Sequence, residues 1–252
     1  MSVLRVEGLR KSFGGVEAVA EVAFSVAAGE LLALIGPNGA GKTTCFNMVG
    51  GQLRPDSGQV YFAGQEITGQ PPRRIWRLGV GRTFQITATF GSMTVVENVQ
   101  MALISRHRRV WSMWARATTL YREEAIRLLE QVGMSDQADR ACSVLAYGDL
   151  KRVELAIALA HEPRLLLMDE PTAGMAPAER VALMELTGRI VRARSIAVLF
   201  TEHDMDVVFA QADRIIVLNR GRLIAEGSPQ AVRADRAVQA VYLGSGSTYG
   251  GH

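Results

Sequence analysis

The stretch GPNGAGKTT, Gly36–Thr44, follows directly on the apolar run LLALI and restricts the fold more than any other part of the chain. It fits the phosphate-loop pattern G-x-x-x-x-G-K-[ST] through Gly36, Gly41, Lys42 and Thr43. Glycines let the backbone curl so that successive N–H groups point inward at a phosphate, where side chains would obstruct. Lys42 offers a positive charge to the β- and γ-phosphates, and Thr43 a hydroxyl to Mg²⁺. Pro37, Asn38, Gly39 and Ala40 complete the loop. Thr44 belongs to a helix expected over Lys42–Val49, whose positive dipole end adds to the anion site. The motif has meaning only between a strand and a helix, and LLALI and KTTCFNMV supply both.

Other apolar runs extend this pattern. Leu31–Ile35, Arg164–Met168, Ile196–Phe200 and Arg214–Leu218 are near-continuous, as parallel strands covered on both faces read. Helical stretches such as Ala178–Arg192 lie between them, so the fold class is α/β. Leu4–Leu9 and Val16–Val26 instead alternate and are rich in valine, which predicts an antiparallel sheet packed against the main one. The middle reads as helix: Thr94–Ser105, with Thr94 as N-cap and Glu97 completing a capping box, and Trp111–Val132 after the basic turn Arg106–Arg109. We expect one domain over 1–244, a helical subdomain at about 85–160 inserted in the α/β core, and a flexible tail at 245–252.

A second motif, LLLMDE, ends an apolar strand in Asp169 and Glu170. That places both carboxylates at the carboxyl edge of the sheet, beside the loops that follow other strands. Asp169 is suited to hold Mg²⁺ through water, and Glu170 to orient the attacking water, because phosphoryl transfer depends on positioning.

Composition excludes several classes. The chain is 48% hydrophobic and 21% charged, enough to bury a core and too ordered in character for wholesale disorder. A net charge of +3 is too weak to argue for nucleic acid. Two cysteines, Cys45 and Cys142, make neither a disulfide framework nor a metal site by themselves. Cys45 lies in the first turn after the phosphate loop, where a helix N-terminus favours thiolate, but a packed small side chain is the plainer reading. The N-terminus lacks a signal-peptide core, and no run approaches the roughly 18 apolar residues of a membrane helix. The expectation is a cytoplasmic chain that leaves any membrane crossing to others. RHRRVWSMWAR, Arg106–Arg116, reads as a solvated helix end with Trp111 and Trp114 packed, the alternative being a surface that lies against lipid headgroups or a membrane partner.

From Leu4 to about Gly244 the sequence resembles the ABC ATPase family, a P-loop NTPase fold of parallel core sheet, antiparallel β subdomain and helical subdomain. The resemblance implies that Phe13 stacks on adenine, that Gln85 in GRTFQ links Mg²⁺ to a membrane partner, and that His203 in TEHD is the switch histidine. It makes Gln85, Glu170 and His203 the catalytic set, and Thr43, Gln85 and Asp169 the metal set, with ATP and Mg²⁺ as cofactors. The family's Leu-Ser-Gly-Gly-Gln signature matches Leu145, Ala146, Tyr147, Gly148 and Asp149, ahead of the helix KRVELAIALA, for which Asp149 is a suitable N-cap. Ala146 departs from the usual serine and lacks its hydroxyl. The loop after Glu170, Ala173–Pro177, departs as well.

Leu145–Gly148, Ala173–Pro177, Glu202–Met205 and Tyr242–Gly244 together look like the first ATPase subunit of branched-chain amino-acid importers. That resemblance implies a peripheral position on the cytoplasmic face of the inner (plasma) membrane. It implies a second ABC ATPase subunit in a heterodimer, two integral-membrane permease subunits, a periplasmic or extracellular solute-binding protein, and no nucleic acid. Alternatives are an exporter of lipid or polysaccharide and a soluble non-transport ABC ATPase. A GTPase is disfavoured, because no Asn-Lys-x-Asp guanine reader occurs.

Overall fold

The computed structural model describes residues 2–83, 89–107 and 120–243. Gln85, Trp111, Trp114, the first part of the expected 111–132 helix and the tail at 245–252 lie outside them. In chain order the strands are β1 (Ser2–Phe13), β2 (Val16–Ala27), β3 (Leu31–Ile35), β4 (Ser57–Phe62), β5 (Gln65–Glu66), β6 (Val80–Thr83), β7 (Leu165–Asp169), β8 (Ala197–Thr201), β9 (Arg214–Asn219) and β10 (Arg222–Gly227). The helices are α1 (Lys42–Val49), α2 (Pro72–Arg77), α3 (Val95–Arg106), α4 (Arg122–Gln131), α5 (Tyr147–Leu159), α6 (Pro177–Arg194), α7 (Met205–Gln211), α8 (Pro229–Ala234) and α9 (Arg236–Leu243).

Two sheets result. One has the order β10-β9-β3-β8-β7-β6, in which β9, β3, β8, β7 and β6 run parallel and β10 returns antiparallel. The other, β2-β1-β4-β5, is antiparallel throughout, as the valine-rich alternation predicts.

The apolar runs are continuous because each central strand feeds two cores. Leu31, Ala33 and Ile35 of β3 join Val95, Leu103, Leu129 and Val153 of the helical layer. Leu32 and Leu34 join Phe46 and Met48 of α1 and the inward residues of the antiparallel sheet, such as Leu4, Val22 and Val60. β7, β8 and β9 divide the same way, since successive side chains on a strand point to opposite faces. Helix α1 is thereby clamped between the two sheets.

Local chemistry sets the ends of the elements. Thr94 and Glu97 form the expected capping box: Thr94 Oγ1 accepts from the Glu97 amide at 3.3 Å, and Glu97 Oε2 accepts from the Thr94 amide at 2.7 Å. The described part of the second expected helix begins only at Arg122. The signature helix corrects the sequence reading in one respect. Ala146 is its N-cap and the helix starts at Tyr147, so Asp149 stands inside the first turn. There an acidic side chain still complements the helix dipole.

Candidate functional site

Every candidate side chain in the described part of the site comes from a carboxyl end of the parallel sheet or from β1. The loop Gly36–Gly41 leaves β3, and Lys42, Thr43 and Thr44 open α1. Two glycines are required by close approach. A Cβ on Gly36 would stand 2.1 Å from the carbonyl oxygen of Leu218, at the end of β9. One on Gly41, whose φ is 99°, would stand 2.3 Å from that of Ala18 in β2. The Ala40 amide donates to Pro37 O, and Ala40 O accepts from the Gly221 amide at 3.0 Å. Neighbouring strands therefore fix the curl. No side chain caps α1 at Gly41, which leaves the first-turn amides of Lys42, Thr43 and Thr44 without intrahelical acceptors. Such a terminus suits an anion.

Lys42 is buried, and its Nζ donates to Gly36 O at 2.6 Å and Pro37 O at 3.1 Å. Burial pulls its ammonium below the ordinary lysine range, against the attraction of Glu170 and Asp169. The two carboxylates of the second motif therefore lie within electrostatic reach of the phosphate loop. Thr43 and Asn38 are exposed on the open side, and Thr44 is half-buried.

Asp169 closes β7, and its Oδ1 accepts from Thr201 Oγ1 at 2.7 Å, while Arg82 Nη2 lies 3.6 Å from Oδ2. Arg82, at the end of β6, also donates to Asn47 Oδ1 and lies over the Phe46 ring. Burial lowers the pKa of its guanidinium, opposed by Asp169. Glu170 follows in left-handed backbone, φ 49°, a conformation that a non-glycine residue keeps only when its surroundings hold it. Its amide donates to Thr201 O and Thr201 Oγ1, both at 3.1 Å. Its Oε1 lies 2.7 Å from Nε2 of His203, the second residue after β8. The structure therefore brings Lys42, Asp169, Glu170 and His203 together.

Phe13 stands at the β1–β2 turn, 50% exposed, with Lys11 Nζ 5.6 Å from its ring centroid. An exposed aromatic on the hairpin that flanks the phosphate loop is free to receive a base.

The signature residues lie elsewhere. Leu145 and Ala146 lead into α5, the Tyr147 ring packs on Gly174, and Gly148 lies against the Glu179 carboxylate of α6. The signature thus touches the loop that follows Glu170. Cys45 is fully buried and burial pushes its thiol up to about 12, so it is a packed side chain.

The sequence matches the family model described as ABC transporter over residues 19–173. The chain belongs to the ABC transporter family. A further model, the branched-chain amino acid ATP-binding cassette transporter, matches residues 222–247. Among curated relatives, the high-affinity branched-chain amino acid transport ATP-binding protein LivG of Escherichia coli K12 is 38% identical, covering 96% of this chain and 98% of its own. BraF of Pseudomonas aeruginosa, named for the same transport, is also 38% identical, with the same coverage. A solved ATP-binding cassette of an ABC transporter in its ADP conformation superposes with a TM-score of 0.87 at 34% identity, covering 97% of this chain and 99% of that one. A dimeric cassette in a post-hydrolysis state, bound to ADP and Pi, gives 0.75 at 25% identity, covering 90% and 98%.

This ABC chain is therefore an ATPase built on the P-loop fold. Three of its polar contacts had no prior role in the sequence: Thr201 under Asp169 and Glu170, Arg82 beside Asp169, and Glu202 on Thr172. Each joins positions far apart in sequence, so no local motif announces it. Among the described residues, no helix is long and apolar enough to cross a membrane.

Proposed function

We propose that this chain hydrolyses MgATP to drive uptake of branched-chain amino acids or related solutes through a separate membrane permease. The observation that carries the reading is the meeting of Lys42 with the Glu170–His203 pair at one sheet edge, 2.7 Å between the latter two. Likeness along nearly the whole chain to proteins named for branched-chain amino-acid transport supports the solute class.

In this reading Gly36, Pro37, Asn38, Gly39, Ala40, Gly41, Lys42, Thr43 and Thr44 hold the phosphates and Phe13 stacks on the base. The fit rests on the uncapped start of α1 and on two glycines that admit no Cβ. Thr43 and Asp169, with Gln85, would hold Mg²⁺. Oxygen donors suit that hard cation, and when bound it neutralises charge on the phosphates. Glu170 orients water, and His203, hydrogen-bonded to it, fixes its carboxylate. Leu145, Ala146, Tyr147, Gly148 and Asp149 face the ATP of a second ATPase subunit.

Residues 1–244 act as one ATPase unit, with the part at about 85–160 turned toward two permease subunits on the cytoplasmic face of the membrane. A groove of about 840 Å³ lined by Ile75, Trp76, Arg77, Arg106 and His161 offers that surface both apolar and cationic side chains. A periplasmic or extracellular solute-binding protein completes the importer.

The test is uptake of labelled leucine into proteoliposomes carrying the complex, with and without ATP inside. We expect ATP-dependent accumulation that Lys42→Ala abolishes. Unchanged accumulation by that variant, or export of the label, would overturn the reading.

A further inference from the structure

Glu170 and His203 meet although they sit on loops from different strands, and something must hold those loops in register. We propose that Glu202 is a positioning residue, which grips Thr172 and so fixes the loop of Glu170 against the loop of His203. This rests on the roles given above to Glu170 and His203.

The carboxylate serves both loops at once. Glu202 Oε1 accepts from the Thr172 amide at 2.9 Å and from Thr172 Oγ1 at 2.5 Å. Its Oε2 accepts from the His203 amide at 3.1 Å. Thr172 is two residues beyond Glu170, and His203 is the next residue after Glu202. One oxygen therefore reaches the loop after β7, and the other stays with the loop after β8. Both residues are inside the protein, Glu202 at 4% and Thr172 at 1% exposure. A buried carboxylate needs hydrogen-bond donors in place of water, and here three of them surround it.

The neighbourhood explains why such a grip is needed. Glu170 holds a left-handed backbone, which a non-glycine residue keeps only when its surroundings over-determine it. Thr201 anchors its amide from one side. Arg180 ties the far end of the same loops, donating to Met175 O and Asp204 Oδ2, both at 2.7 Å, from a more exposed position. Glu202 is the buried tie between them. Among the described residues its oxygens bond to Thr172 and to the His203 amide, and it acts through them.

Glutamine is an informative replacement, because it keeps the volume but exchanges one acceptor for a donor. Whichever way the amide turns, its NH₂ faces an N–H, either of Thr172 or of His203. One loop is released while the core stays filled.

The experiment measures ATPase kinetics of the full-length chain in its purified transporter complex. The variants are Glu202→Gln, Thr172→Val, His203→Ala, Glu170→Gln and the double variant Glu202→Gln/His203→Ala. Misplacement of a catalytic group by about 1 Å can cost on the order of 10²-fold, so Glu202→Gln should lower kcat by roughly 10- to 100-fold. KM for ATP should stay within about twofold, because the phosphate cradle is untouched. Thr172→Val should lower kcat by less, having lost one of three donors. Added to His203→Ala, Glu202→Gln should cost almost nothing more, because the pair it sets no longer exists.

Wild-type kcat in both Glu202→Gln and Thr172→Val, with His203→Ala impaired, overturns the positioning role and leaves the functional reading standing. Full additivity of Glu202→Gln with His203→Ala, or a matching rise in KM, assigns Glu202 to general stability and also overturns it. Wild-type rates in both His203→Ala and Glu170→Gln would instead remove the reading beneath the proposal. If Glu202→Gln fails to fold, Thr172→Val decides, since its effect must vanish in the His203→Ala background.

Discussion

The ring nitrogen Nε2 of His203 and the carboxylate oxygen Oε1 of Glu170 stand 2.7 Å apart, although each residue lies just past the end of a different parallel strand. A carboxylate so held has lost much of its rotational freedom before any substrate arrives. The ordering cost is met by the fold, which is what positional catalysis requires.

Glu170→Gln keeps the shape of that side chain and removes its charge. ATP binding should persist while hydrolysis slows by at least ~10²-fold, since water positioning is lost and the phosphate cradle remains. Lys42→Ala should reverse the pattern and weaken binding. Equilibrium nucleotide binding and turnover, measured side by side, separate the two. A Glu170→Gln complex turning over at the wild-type rate would exclude the role assigned to Glu170.

Phe13 is half exposed, so its stacking should lie at the low end of the ~1–3 kcal/mol found for bases on aromatic rings. Phe13→Ala should raise KM for ATP by roughly fivefold. It should raise KM for GTP similarly, because every base offers a π-face. Equal nucleotide affinity in variant and wild type would take Phe13 out of the site.

Ala146 caps α5 with no side-chain hydrogen bond. A serine there would gain a capping bond worth ~1 kcal/mol. In a heterodimer it would also offer the opposite ATP a hydroxyl worth ~1.5–3 kcal/mol against a charged phosphate. Ala146→Ser should therefore tighten ATP at the partner's site and leave the site at Lys42 unchanged. Glu170→Gln in this chain should likewise harm turnover more than the equivalent change in the partner. ATPase rates with each glutamate replaced singly give the answer, and equal losses sink the asymmetry.

Burial pushes the Cys45 thiol up to about 12 from an ordinary 9.0. The folded value is the raised one, so the thiol's contribution is complete below pH 9 and is lost as pH rises from about 9 toward 12. The slope should be about 1.4 kcal/mol per pH unit for this single group. The urea midpoint of the wild type should fall over that window more steeply than that of Cys45→Ala. Rapid alkylation of folded Cys45 at pH 9 would contradict the burial.

Much of the fold was legible because burial on both faces leaves a simple trace. Leu31–Ile35 and Ile215–Leu218 are apolar at every position since each side chain has a core to enter. The capping box at Thr94 was legible because its two bonds span three residues. The start of α5 was not. Asp149 is the better capping residue by type, yet the chain turns helical at Tyr147, whose ring packs on Gly174 of a distant loop. Packing between elements outweighed local preference there. Glu202 was visible as part of a pattern, but its grip on Thr172 spans 30 positions and has no periodic signature. Arg82 beside Asp169 is hidden for the same reason.

Strand β3 lies between β8 and β9, and the Leu31 amide is bound by Asp213, 182 positions further along. On the ribosome this means that the phosphate-binding motif is made early and takes its shape late. Gly36 cannot be packed against Leu218 until β9 has emerged. A chain cut short by a nonsense codon before that point would carry every residue of the loop and still fail to cradle a triphosphate. The long wait for a sequence-distant neighbour slows folding.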